Sequence, residues 1–102
     1  MKNITLIVHN DIEQALADTL RSVPHANKFI FTRVEGHSVH DERDISLSAR
    51  DKVVGYTAHV RVDILVEDAE VSDLLQVLRG ADCGLAGRGY YWVTEAQAFG
   101  EL

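Results

Sequence analysis

The sequence is poor in the residues that staple, stiffen or steer a chain: one cysteine, one proline, and ten lysines and arginines against sixteen aspartates and glutamates. A lone Cys83 excludes an intrachain disulfide, so the fold must hold by packing. A lone Pro24, between two patterned segments, excludes proline-rich linkers and leaves no visible seam between domains. With a formal charge of −6 and no clustering of its basic residues, the chain repels phosphate backbones, which argues against nucleic acid as a partner. The apolar run "ITLIV" near the N-terminus is too short for a signal peptide or a membrane span, so no membrane insertion and a cytoplasmic address are expected.

What is present is enough for one core. Hydrophobic residues at 46% and charged residues at 25% are globular values, and 102 residues suit a single domain, 1–102. The β-branched stretch "ITLIVH" (4–9) predicts a strand. Asp11, with Gln14 three residues on, predicts a capping box for a helix whose buried stripe is Ile12, Ala15, Leu16, Leu20 and Val23. "KFIFTRVEG" (28–36) predicts a second strand closed by Gly36. From Tyr56 the alternation predicts a third, with Ala58, Val60, Val62, Ile64 and Val66 on one face and Thr57, His59, Arg61, Asp63 and Leu65 on the other. Asp68 is the expected cap of a second helix with the stripe Val71, Leu74, Leu75 and Leu78, stopped by Gly80. "GYYWVTE" predicts the last strand. This β-α-β-β-α-β order is the ferredoxin-like α+β sandwich, a four-stranded antiparallel sheet with two helices on one face. The other face carries His59, Arg61 and Asp63, a charge-paired set that suits either solvent or an interface between subunits.

Two segments exceed what a compact fold needs. Residues 37–55, "HSVHDERDISLSARDKVVG", form a long polar connection, and compact domains rarely keep such loops without a use. Its charged residues, with a short apolar patch at Ile45 and Leu47, suit a loop that is solvated when free and anchored on a partner. His37 and His40 beside Asp41 and Glu42 also offer nitrogen and oxygen donors to a divalent metal, although H-x-x-H alone is not specific. "ADCGLAGRGYYWV" (81–93) gathers three glycines before three consecutive aromatics, either a demanding turn or a binding loop. Cys83 within it reads as a small apolar residue or a functional thiol.

Taken in order, "ITLIVHNDIEQALADTL", "FTRVEGHS", "VDILVEDAEVSDLLQVL" and "CGLAGRGYYWV" resemble the PII signal-transduction superfamily over nearly the whole chain. The resemblance implies a homotrimer with open sheet faces inside and small-molecule clefts between subunits. Residues 37–55 would be the T-loop that touches a target protein, through His37, His40, Asp41, Glu42, Arg43, Ile45 and Leu47. Gly84, Gly87, Arg88 and Gly89 would be the ligand-holding B-loop. PII proteins hold ATP or ADP there with lysines, where this chain has Leu85 and Tyr90 and no basic residue after Arg88. Nucleotide binding is therefore expected to be weak or absent, with another anion or a metal as ligand and a transporter or efflux component as the target class. No nucleophile and base, or paired catalytic carboxylates, stand at a spacing that catalysis requires, so a non-enzyme is expected. The alternatives are a dimeric ferredoxin-like oxygenase or isomerase and a trimeric metal-binding protein.

Overall fold

Four segments rich in β-branched and aromatic residues become strands: β1 (Lys2–His9), β2 (Lys28–Gly36), β3 (Thr57–Val66) and β4 (Gly89–Glu95). Two amphipathic segments become helices, α1 (Glu13–Ser22) and α2 (Val71–Gly80). The computed structural model describes residues 1–24, 26, 28–37, 57–80, 84–85 and 88–102. In it the strands form one sheet in the order β2-β3-β1-β4, every neighbouring pair antiparallel. With two helices on one face, this is the ferredoxin-like α+β fold that the element order predicts.

The core follows from the period-two alternation of the central strands. Ile4, Leu6 and Val8 of β1 and Val60, Val62, Ile64 and Val66 of β3 point to the same side and meet Leu16, Leu20, Leu74 and Leu78 of the helices, all buried. Each such side chain contributes roughly 1.5–3 kcal/mol by leaving water. Phe29 and Phe31 of β2 extend the layer towards one edge.

The helix starts differ from the sequence expectation. A 3-10 turn, Asn10–Ile12, precedes α1, and its cap is His9, whose Nδ1 accepts the Asp11 amide hydrogen at 3.2 Å. Asp11 therefore does not cap α1, and Gln14 donates forward to Asp18 instead of closing a capping box. Of the expected stripe Ile12, Leu16, Leu20 and Val23 are buried, while Ala15 faces solvent and Ala17 is buried in its stead. A second 3-10 turn, Asp68–Glu70, precedes α2, and the Asp68 carboxylate pairs with the Met1 amino group instead of capping the helix.

Gly89 is demanded by close approach. A Cβ there would stand 2.7 Å from the Ile7 carbonyl oxygen and 2.8 Å from Val8 Cγ1, where β4 begins its pairing with β1. Replacing it by alanine should lower stability by about 1–3 kcal/mol through overpacking, whereas Gly100→Ala, with nothing within 4 Å, should be near neutral. Urea unfolding of the two variants makes the comparison.

Candidate functional site

The register of the sheet brings one set of chain ends together. His9 pairs with His59, Val34 pairs with His59 from the other side, Gly36 with Thr57, and Gly89 with Val8. The β1–α1 turn, the root of the 37–55 connection and the end of the glycine loop thus share one end of the sheet.

At that end the loop is tied down. Gly84 takes φ +79°, in the left-handed region that favours glycine. The Arg88 amide donates to the Leu85 carbonyl at 3.0 Å, and Leu85 packs against the core. The Arg88 guanidinium donates to Asp11 Oδ2 at 2.8 Å, fastening the loop to the β1–α1 turn. Arg88 is therefore already neutralised, and an anion binding there must displace Asp11. Gly87 and Cys83 lie outside the described residues.

From Asp11 a chain of contacts runs to the root of the long connection. Asp11 Oδ1 is 3.1 Å from His9 Nδ1, the His9 and His59 rings meet edge to face with centroids 6.3 Å apart, and a Cβ on Gly36 would overlap the His59 ring. Glycine at 36 is what lets His59 lie across β2. The next residue, His37, has its Nε2 3.7 Å from the Glu35 carboxylate. His40, Asp41, Glu42, Arg43, Ile45 and Leu47 lie outside the described residues. Among the described residues no group of three His, Cys, Asp or Glu side chains converges as a metal set.

The open face of the sheet is built around Asp63. Arg61 donates to both its oxygens, at 3.0 and 3.2 Å, Thr5 donates its hydroxyl at 2.8 Å, and Asn3 donates its amide at 3.2 Å. Aiming both amide hydrogens at this cluster leaves Asn3 Oδ1 buried with no partner among the described residues. Arg61 also lies over the Trp92 ring, 5.8 Å from its centroid, a cation–π contact reaching from β3 to β4 across β1. Burial pushes the Asp63 carboxyl up, but the hydrogen bonds from Arg61, Thr5 and Asn3 outweigh it and hold the group below the usual aspartate range. Alternation along β3 identifies Arg61 and Asp63 as a pair, while Thr5, Asn3 and Trp92 join only through the cross-strand register.

Both edges of the sheet are unpaired among the described residues. On β4 four large side chains in succession are exposed, Tyr90 at 60% and Tyr91, Trp92 and Val93 near 40%, and on β2 Ile30 is 66% exposed. No proline or lysine blunts β4, an unguarded edge of the kind natural sheets avoid unless it is covered. A separate cleft of about 480 Å³ opens between α1 and β2, with Phe29 and Phe31 as its floor and Arg21 and Arg33 in its walls.

A family model described as "Protein of unknown function (DUF3240)" matches residues 1–102. No curated protein matches the chain. Among solved structures, the crystal structure of a DUF3240 family protein from Shewanella baltica OS155, at 2.40 Å resolution, superposes with a TM-score of 0.76 over 99% of this chain and 94% of that one, at 22% identity. At that identity the likeness establishes the fold.

A carboxyl held low in the folded state contributes stability that is complete above its unfolded pKa, about 3.9, and is lost as the pH falls through its folded value. Asp63→Asn should therefore cost about 1–3 kcal/mol at neutral pH, by leaving the Arg61 donors poorly matched, and should flatten the loss of stability below about pH 4. Denaturant midpoints measured from pH 7 to pH 3 for both proteins would reveal the change of slope.

Proposed function

We propose for this chain, which belongs to the DUF3240 family, a PII-like regulatory role. As a homotrimer it senses a small ligand, a non-standard nucleotide, an anion or a metal ion, at clefts between subunits. It then acts on a protein target, in the class of transporters and efflux components, through residues 37–55. The observation that carries this reading is the continuous route from the glycine loop to the root of that segment, by way of Arg88, Asp11, His9, His59 and Gly36. A ligand that takes Arg88 from Asp11 releases the β1–α1 turn, and the edge-to-face histidines pass that change to the strand ends from which the segment springs.

The trimer rests on the two open edges and the open face. Pairing β4 of one copy with β2 of the next is a head-to-tail contact, which closes into a ring when the rotation fits. It would cover Ile30, Tyr90 and Trp92 together. No described helix is long and apolar enough to cross a membrane, so a membrane target would be met from its surface. Ordering a loop costs about 1–2 kcal/mol per residue of backbone entropy, a cost that a ligand can lower in advance by fixing the loop root. In this reading the protein is a switch without catalysis of its own.

Light scattering behind size exclusion should return three times the mass of the 102-residue chain. A stable monomer would remove the clefts, and a dimer would favour an oxygenase-like or isomerase-like enzyme. Shortening residues 39–52 to a glycine-containing turn should leave the trimer intact and abolish specific partner capture. An unchanged partner set or a collapsed trimer would make the segment a structural arm. In isothermal titration ATP should bind weakly or not at all, since each missing charge-assisted contact is worth roughly 1.5–3 kcal/mol; tight ATP binding would show that basic groups elsewhere hold the phosphates.

A further inference from the structure

Between α2 and the helix-facing side of β4 lies a cavity of about 140 Å³. Its walls are Leu6, Leu75, Leu78 and Leu85, so it joins the core at one end and the glycine loop at the other. At its rim the Arg79 guanidinium lies over the Tyr91 ring, 5.6 Å from the centroid, and donates to the Tyr91 hydroxyl at 3.1 Å. No carboxylate pairs with Arg79 among the described residues. Among the described residues the combination is an apolar chamber with one cation at the opening that no carboxylate pairs, held in place by an aromatic ring.

We infer that this cavity binds a small monocarboxylate with a branched aliphatic or single-ring body, the carboxylate on Arg79 and the body among the four leucines. Size sets the scale, because protein cavities of about 150 Å³ hold one benzene-sized molecule. Charge sets the head group: guanidinium presents a planar fork of donors that matches a carboxylate in two parallel bonds. A dianion or a nucleotide is disfavoured, since the described lining of the chamber offers a single cation, Arg79. Apolar walls with few converging polar groups are the ordinary make-up of a small-molecule site. Leu85 belongs to both the chamber and the glycine loop, so filling the chamber reaches the turn that Arg88 and Leu85 close. In that respect the inference rests on the ligand-sensing reading and names its ligand class; binding itself does not depend on it.

The test uses the full chain with methyl-labelled leucines, titrated with 3-methylbutanoate and followed by NMR. Saturable shifts are expected at Leu6, Leu75, Leu78 and Leu85, with affinity in the millimolar range or tighter. Arg79→Gln, an exposed change that should leave the fold intact, should weaken binding about tenfold or more, as should replacing the acid by the neutral 3-methylbutanamide. Tyr91→Phe keeps the ring under Arg79 and should weaken binding less. Absence of saturable shifts at these leucines, or an Arg79→Gln variant that binds as well as the parent, overturns the inference. Repeating partner capture with and without 3-methylbutanoate separates the two ideas. Binding without any change in capture keeps the site and removes its link to sensing, whereas no binding by a trimer that captures partners removes the site and leaves sensing to another ligand.

Discussion

Burial of β1 on both faces is the constraint from which the rest of the molecule follows. Six residues in succession, Ile4 to His9, are buried. Ile4, Leu6 and Val8 pack in the core with the helices, while Thr5, Ile7 and His9 are buried on the opposite face of the strand. A hydroxyl at position 5 can be buried only because it has an acceptor, and the acceptor is Asp63. Part-buried Asp63 is held charged by the donors of Arg61, Thr5 and Asn3, and Arg61 is steadied by Trp92. Placing a threonine in the middle of the central strand thus calls for the ion pair and the aromatic that surround it.

The same logic explains which features were legible in the sequence. β3 was legible from its strict alternation, and its polar face announced Arg61 and Asp63 as a pair. The four strands and two helices followed from β-branched runs and from leucines at helical spacing. Both helix starts differ from the sequence pattern because a 3-10 turn takes up the residues that would otherwise cap; before α1 the strand residue His9 caps through its ring, and before α2 Glu67 stands at the cap with no side-chain hydrogen bond. Arg88 and Asp11 are 77 positions apart; nothing local to either announces the other. Thr5 and Asn3 were hidden in the same way, since which residue of β1 faces Asp63 depends on the pairing register.

Functionally, the molecule divides between the two ends of its sheet. One end gathers the β1–α1 turn, the glycine loop and the root of the 37–55 connection. At the other, Lys2 pairs with Glu95 and the chain after β4 crosses towards β2, where Lys28 meets Glu101 at 3.5 Å. Both ends join segments distant in sequence, the first through Arg88 and Asp11 and the second through ion pairs that tie the start of β1 and of β2 to the end of the chain.

The strand order also governs how the chain assembles as it is made. β1 is synthesised first, yet both its neighbours, β3 and β4, come from the second half of the sequence. At roughly 5–20 residues per second of synthesis, the "ITLIV" strand waits on the order of seconds with two bare edges before Thr57–Val66 arrives to pair with it. Non-local pairing of this kind slows folding relative to hairpins. Until that second half has been made, the sheet cannot close around its oldest strand.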